Sequence, residues 1–217
     1  MKLLLTSGGF TNKTIIDTLR KLVGKDFIDA TLAFIPTAAN VEEGDKEWLI
    51  SDLAKCTELG FKEVDIVDIA AVSKEVWLPR LQHADVLLFG GGNTSYLMAQ
   101  IKKSGLIEAL PELLKSRVYV GISAGSMVTS PNLLEKEMQR LYNEPILDGA
   151  SNEGLGFVDF LVVPHMNSPY FPRASELIDE VAQGVDVPLY ALDDQSAVQV
   201  VGDNVEVVTQ GIWKRFN

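Results

Sequence analysis

The sequence has only one cysteine and two histidines among its 217 residues. The single cysteine, Cys56, excludes an internal disulfide and a zinc site built from several cysteines. No apolar run approaches the roughly 20 residues that a membrane-spanning helix requires. The apolar stretch at the N-terminus is short and predicts a first strand rather than a signal peptide. We therefore expect a cytoplasmic protein.

Basic residues are few compared with acidic ones. The chain has 19 Lys and Arg against 30 Asp and Glu, which gives a formal net charge of −11. Nucleic acids and anionic membranes are bound by basic surfaces, so we expect neither as a partner. The length and the 47% hydrophobic content indicate one soluble domain that covers residues 1–217.

Strand-like and helix-like segments alternate along most of the chain. We predict strands at 2–7, 30–36, 63–69, 85–89 and 117–120, and helices at 13–23, 43–59, 73–81, 95–103 and 106–115. This βα alternation predicts a three-layer αβα fold with a mostly parallel, twisted sheet. The last third predicts a helix at 174–183 and strands at 157–163, 188–192, 197–201 and 205–209. We expect these last strands to form an antiparallel edge on the same domain.

A serine between two glycines directly follows the strand predicted at 117–120. The segment Gly121-Ile122-Ser123-Ala124-Gly125 has the pattern of a sharp strand-to-helix turn that carries a nucleophile. Glycines are needed there because the turn has strained backbone angles and close contacts. Ser123 is therefore the candidate nucleophile, although such turns also occur without any catalytic role.

A nucleophilic serine needs a base, and imidazole is the usual one. His83 precedes a predicted strand and so lies at the opposite edge of the sheet from Ser123, whereas His165 follows a strand and lies at the same edge. His165 is therefore the candidate base. Spacing does not select the carboxylate that would orient it. The candidates are Glu144, Asp148, Glu153, Asp159, Asp193 and Asp194, of which Asp193 and Asp194 follow a strand and are the strongest physical rivals of Glu144.

Two glycine turns follow other strands. The segment 90–94, Gly-Gly-Gly-Asn-Thr, leads into a helix, and its free N–H groups could bind a phosphate or complete an oxyanion hole. The segment 6–9, Thr-Ser-Gly-Gly, is interpreted as a tight βα turn. Cys56 lies on the apolar face of a predicted helix and is expected in the core. Arg173, at a predicted helix start, could bind a substrate carboxylate or simply be solvated.

Four segments together resemble the peptidase E (alpha-aspartyl dipeptidase) family of serine peptidases. They are Gly90–Thr94, Gly121–Gly125, Asn143-Glu144-Pro145-Ile146 and Pro164-His165, in that order along the chain. The resemblance implies a class I glutamine-amidotransferase-like, flavodoxin-like fold and a peptidase without metal or cofactor. It matches Ser123 to the nucleophile and His165 to the general base.

The resemblance also implies further site residues. It assigns the oxyanion hole to the N–H groups of Gly92 and Ala124. Glu144 falls where the dipeptidase has an aspartate, which makes it the implied third member of a Ser-His-Glu triad. Arg173 falls roughly where the dipeptidase has an arginine linked to recognition of an N-terminal aspartate. The loop before it differs, so Tyr170 and its neighbour Phe171 could form a more apolar pocket instead, and Asn93 completes the expected substrate-binding set.

The sequence therefore predicts a serine peptidase, dipeptidase-like, that hydrolyses small peptides through an acyl-enzyme intermediate. Two alternatives stay open. An esterase or other acyl hydrolase could use the same serine turn, and a binding module could keep this fold without catalysis.

Overall fold

The computed structural model describes residues 1–145 and 151–217. Its strands in chain order are β1 (Lys2–Thr6), β2 (Thr31–Ile35), β3 (Glu63–Ile66), β4 (Val86–Phe89), β5 (Val118–Ile122), β6 (Leu161–Val163), β7 (Leu189–Leu192), β8 (Ser196–Val201), β9 (Asn204–Thr209) and β10 (Trp213–Phe216). Its helices are α1 (Lys13–Val23), α2 (Glu47–Glu58), α3 (Lys74–His83), α4 (Thr94–Lys103), α5 (Leu106–Leu113), α6 (Ala124–Met127), α7 (Glu135–Tyr142), α8 (Pro172–Glu176) and α9 (Ile178–Gln183). No helix within these residues is long and apolar enough to cross a membrane.

The central sheet has seven strands in the order β3-β2-β4-β5-β1-β8-β9. The first five are parallel to one another, and β8 and β9 add an antiparallel edge beside β1. The mostly parallel sheet and the antiparallel pair 197–201 and 205–209 are therefore confirmed. The strands β2, β4 and β5 are buried along their whole length, which explains their continuous apolar sequences.

Helices cover both faces of this sheet. One apolar cluster packs α3, α4 and α5 onto one face, and a second packs α1 and α2 onto the other. Local signals fix α1 at both ends, because Asn12 Oδ1 accepts a hydrogen bond from Ile15 N at 3.1 Å and Gly24 adopts a left-handed conformation at the C-terminus.

The last third departs from the sequence expectation. β6 and β7 do not extend the central sheet but form a second sheet with β10, in the order β10-β7-β6. β7 is parallel to β6, with Val163 paired to Ala191, so these strands are not part of an antiparallel edge. A third apolar cluster packs α7 and α9 against this small sheet. The helix predicted at 174–183 is divided into α8 and α9, which meet at Leu177.

Candidate active site

Three turns meet at the carboxyl edge of the central sheet. Thr6, the last residue of β1, pairs with Ile122, the last residue of β5, and Phe89 at the end of β4 pairs with Gly121. The residues that follow these three strands are therefore neighbours. Ligands of open α/β sheets bind at this edge, which makes these turns the place to look for a site.

Ser123 stands in a strained turn between β5 and α6. Its φ of 48° and ψ of −109° lie outside the regions that residues with a side chain ordinarily adopt. A Cβ on Gly121 would lie 2.5 Å from Ser126 N, and one on Gly125 would lie 2.1 Å from Phe89 O. Because only glycine fits at these two positions, the turn has the geometry expected from the sequence.

The imidazole of His165 joins Ser123 to a carboxylate. Its Nε2 lies 2.9 Å from Ser123 Oγ, and its Nδ1 lies 2.7 Å from Asp194 Oδ1. A proton on Nδ1 that is donated to Asp194 leaves Nε2 free to accept the hydroxyl proton of Ser123. Only 16% of the His165 side chain is exposed, against 36% of the Asp194 side chain.

The small sheet brings His165 and Asp194 together. β6 and β7 are adjacent and parallel, so the residues that follow them emerge at the same edge. Met166 N donates to Leu192 O at 2.9 Å, and this bond holds the segments that follow β6 and β7 side by side. His165 itself has a φ of 62°, a left-handed conformation that turns the chain at this point.

Ser7, at the end of β1, contacts both of these residues. Its Oγ donates to Asp194 Oδ1 at 2.8 Å and accepts from the main-chain N–H of His165 at 2.8 Å. Ser7 is fully buried. Local pattern could not single out Ser7 within the turn 6–9, because its contacts are with two residues more than 150 positions away.

Asp194 is held as the charged form. Burial acts to raise the pKa of its carboxyl, but the hydrogen bond and charge of His165, together with hydrogen bonds from Ser7 and Ser168, hold the pKa below its ordinary value. An ionised Asp194 can stabilise a positive charge on His165, which is what a general base requires of its partner.

No hydrogen bond joins Glu144 to His165, whose Nδ1 pairs with Asp194 instead, so the expected pairing of Glu144 with His165 is wrong in this structure. The carboxylate of Glu144 instead accepts hydrogen bonds from Thr94 N, Ser95 N and the Thr94 hydroxyl, the last at 3.2 Å. The first N–H groups of α4 have no partner within the helix, so a carboxylate is stabilised there. Burial nevertheless outweighs these bonds and raises the pKa of Glu144 to about 7.

The other candidate carboxylates are also accounted for. Asp193 accepts hydrogen bonds from Ser196 Oγ and Gln195 N. These bonds stabilise the turn between β7 and β8. Glu153 pairs with Lys102 at 3.3 Å with its side chain 82% exposed, and Asp159 is exposed. Asp148 and Ile146 lie outside the described residues.

Two backbone N–H groups lie in the turns that contain Ser123 and Gly91, and a Cβ on Gly91 would be 3.6 Å from Ser123 Cβ. Gly92 N, in the turn after β4, and Ala124 N, at the start of α6, donate to no acceptor among the described residues. A Cβ on Gly92 would lie 2.3 Å from Ala38 O, so only glycine lets this turn approach the segment after β2. Unpaired N–H groups beside a serine are suited to stabilise an oxyanion.

Comparisons with known proteins identify the family of this chain. The sequence profile of Peptidase family S51 matches residues 3–208. The chain belongs to peptidase family S51. It is therefore a serine-type peptidase, in which the serine turn, the histidine and the carboxylate are brought to one edge of a parallel sheet.

Individual relatives support the assignment. The peptidase is 29% identical to Lmo0363, an uncharacterized peptidase of Listeria monocytogenes, over 83% of this chain and 85% of that one. It is 34% identical to a peptidase E of Streptomyces coelicolor, over 58% of this chain and 53% of that one. A crystal structure of a Listeria monocytogenes EGD-e protein provisionally called peptidase E superposes with a TM-score of 0.79, at 26% identity, over 97% and 98% of the two chains.

The three expected substrate-binding residues of the peptidase have different surroundings, since Asn93 is buried and Tyr170 and Arg173 are exposed. Asn93 is fully buried, and its side chain caps α4 through Tyr96 N at 2.8 Å and donates to Pro145 O at 3.2 Å. Both polar atoms of this amide thus have a partner within the protein, and the side chain has no exposed surface. Tyr170 is 86% exposed, and Arg173 is exposed on α8 with no polar partner for its side chain among the described residues.

Two aromatic residues surround the imidazole instead. Phe171 stacks on the ring of His165 with centroids 4.6 Å apart, and Tyr142 meets it edge-on at 6.2 Å. Tyr142 also donates to Pro164 O at 2.8 Å, and burial raises the pKa of its hydroxyl well above its ordinary value. These contacts restrict how far the His165 ring can turn.

Two predictions about residues outside the site are confirmed. The side chain of His83 is 66% exposed and lies near Glu63 rather than near Ser123. Cys56 is fully buried in the apolar cluster beneath α1 and α2. Burial raises the pKa of the Cys56 thiol to about 12, so it is kept as an unreactive thiol.

Proposed function

We propose that this protein hydrolyses small peptides through an acyl-enzyme formed on Ser123, with His165 as general base and Asp194 as the residue that orients it. The observation that carries the proposal is the continuous pair of hydrogen bonds from Ser123 Oγ through the imidazole to Asp194 Oδ1, at 2.9 and 2.7 Å. Gly92 and Ala124 supply the N–H groups for the oxyanion. The proposed triad is Ser-His-Asp rather than the expected Ser-His-Glu.

In the first half of the reaction, Ser123 Oγ attacks the scissile carbonyl carbon while His165 Nε2 takes the hydroxyl proton. The carbonyl oxygen becomes negatively charged and accepts hydrogen bonds from Gly92 N and Ala124 N. Removal of one such donor in other acyl-transfer enzymes costs about 3–4 kcal/mol of transition-state stabilisation. The imidazolium then gives its proton to the leaving amine, the C–N bond breaks, and an ester on Ser123 remains.

In the second half, a water molecule replaces the amine. His165 Nε2 takes a proton from the water as its oxygen attacks the ester carbonyl, and the same N–H groups stabilise the second oxyanion. His165 then protonates Ser123 Oγ, which releases the carboxylic acid and regenerates the hydroxyl. Asp194 stays ionised throughout and stabilises the imidazolium, in agreement with the direction of its pKa shift.

The substrate class rests on the relatives called peptidase E, which support a dipeptidase-like activity. Recognition of an N-terminal aspartate through Arg173 has no support from contacts, because this side chain is exposed on α8. We therefore propose hydrolysis of short peptides without assigning an acidic first residue.

Covalent labelling with a fluorophosphonate probe tests the nucleophile. The parent protein should be labelled and Ser123→Ala should not, whereas Ser51→Ala, which removes an exposed serine of α2, should be labelled like the parent. Equal labelling of Ser123→Ala and the parent would show that the nucleophile is a different residue. A parent that resists the probe while folded would favour the non-catalytic alternative.

A matched substrate panel tests the reaction class. Dipeptides that vary at the first residue are compared with aryl esters of the same amino acids, with kcat/KM measured for each. We expect dipeptide hydrolysis that disappears in Ser123→Ala. Hydrolysis of the esters with no turnover of any peptide would instead assign an esterase activity to the same serine turn.

A further inference from the structure

A further acidic side chain, Asp52, lies at the edge that carries Ser123, and the proposed mechanism does not use it. Asp52, on α2, faces the turn after β1, because a Cβ on Gly9 would lie 3.5 Å from Asp52 Oδ1 and 3.1 Å from Ile122 Cδ1. Ile122 directly precedes Ser123. The carboxylate of Asp52 therefore lies beside the chain that leads into the serine turn.

Asp52 differs from Asp194 and Glu144 in having no partner among the described residues. Asp194 and Glu144 each accept several hydrogen bonds, whereas the side chain of Asp52 has neither a hydrogen bond nor an ion pair among the described residues. Burial raises its pKa to about 7, and no neighbouring donor or cation acts to lower it. A partly buried carboxylate without a partner is costly, and a bound cation would remove that cost.

Trp48 lies one helical turn before Asp52, so the two side chains share a face of α2. A Cβ on Gly91 would lie 3.7 Å from Trp48 Cζ3 and 3.6 Å from Ser123 Cβ, which puts the indole across Gly91 from the nucleophile. Trp48 keeps 38% of its surface exposed. Aromatic faces and carboxylates both attract ammonium and guanidinium groups, and this face of α2 offers one of each.

We propose that Asp52 and Trp48 form a subsite that binds a cationic group of the peptide substrate. The proposal rests on the proposed peptidase function and names its substrate class. The cation can be the terminal ammonium of the peptide or the side chain of a lysine or arginine. The same chemistry would disfavour acidic groups at this position.

Kinetics with matched dipeptides test the subsite. Lysyl-leucine, norleucyl-leucine and glutamyl-leucine are compared, each with a free and an acetylated N-terminus. Asp52→Asn should lower kcat/KM for the cationic substrates by roughly 10- to 100-fold, the range expected for a hydrogen bond to a charged group. Acetyl-norleucyl-leucine, which carries no cation, should change by less than about threefold. Glu47→Gln removes an exposed charge from the same helix and should leave the order of preference unchanged.

The pattern of losses identifies the source of the cation. A loss confined to lysyl substrates assigns the side chain, and a loss for every free-amine substrate but no acetylated one assigns the terminal ammonium. Equal losses for all six substrates, or none, would overturn the proposal. Fluorophosphonate labelling of Asp52→Asn at the parental rate shows that the serine turn is intact.

A binding measurement keeps this inference separate from the peptidase proposal. Calorimetry on Ser123→Ala, with and without Asp52→Asn, measures the affinity for lysyl-leucine and norleucyl-leucine in the absence of turnover. Weaker binding of lysyl-leucine on loss of Asp52 supports the subsite even if no peptide is hydrolysed. Unchanged affinity for both peptides contradicts it, whatever the kinetics of the parent protein.

Discussion

The two halves of the candidate site are built in different ways. The half that carries Ser123 and Gly92 belongs to the central sheet, and its shape is set by backbone contacts that exclude a side chain at Gly121 and Gly125. The half that carries His165 and Asp194 follows the small sheet, and its shape is set by side-chain hydrogen bonds, with Ser7 as the common partner. A glycine turn can be recognised from a few neighbouring residues of the sequence. The hydrogen-bond partners of a side chain depend instead on how the strands are arranged in the fold.

The largest expected effect concerns the carboxylate of the second half. Asp194→Asn keeps the shape of the side chain but cannot stabilise the imidazolium or enforce the same tautomer of His165. We expect kcat to fall by roughly 10³- to 10⁴-fold, as for the equivalent change in a Ser-His-Asp triad. Steady-state hydrolysis of the best dipeptide and the rate of fluorophosphonate labelling measure the loss.

Glu144→Gln is the matched control for that change. It also neutralises a buried carboxylate at the same edge, but one that hydrogen-bonds Thr94 and Ser95 rather than His165. We expect less than about a tenfold loss of kcat, since the change weakens the favourable charge at a helix N-terminus. A larger loss in Glu144→Gln than in Asp194→Asn would return the third triad role to Glu144.

The next largest expected loss of kcat comes from a change to the backbone turn at Gly92, in the first half of the site. Gly92→Ala would bring a Cβ to 2.3 Å from Ala38 O at a φ of 128°, so the turn must move and Gly92 N moves with it. We expect kcat to fall by about 10²- to 10³-fold, the cost of losing one oxyanion donor. Activity assays and thermal unfolding of the same sample separate this loss from loss of fold.

Gly24→Ala is the control for the strain of a positive φ. Gly24 has a φ of 78° at the end of α1, and a Cβ there would meet no atom within 4 Å. It should lower the unfolding temperature, because a left-handed conformation costs about 1–2 kcal/mol for a residue with a Cβ, and leave kcat unchanged. If both variants kept full activity, Gly92 N would not be an oxyanion donor.

The same contrast explains what the sequence could predict. Ser123, His165 and the turn at Gly92 follow apolar strands that are evident from composition, so the edge they share could be foreseen. The partner of His165 could not be selected, because it depends on β7 lying parallel to β6 in a separate sheet and on β8 then pairing antiparallel with β1. That topology brings Asp194 to the carboxyl edge of both sheets, while Glu144 follows α7 towards the start of α4.

The smallest expected loss of activity is that of a change at Ser7, the residue that connects the two halves. Ser7→Ala removes the donor to Asp194 Oδ1 and the acceptor of His165 N, both at 2.8 Å. Hydrogen bonds of this kind contribute about 1–2 kcal/mol, so we expect roughly a tenfold loss of kcat/KM. Thermal unfolding measures the part of the effect that is structural.

A double-mutant cycle shows whether Ser7 acts through the carboxylate. If it positions Asp194, the loss caused by Ser7→Ala should become much smaller in the Asp194→Asn background, because the interaction is already broken there. Ser196→Ala is the matched comparison, since this buried serine donates to Asp193 at 2.6 Å rather than to Asp194 and should show no such coupling. Full additivity of Ser7→Ala and Asp194→Asn would mean that Ser7 supports the fold of the edge without orienting the catalytic carboxylate.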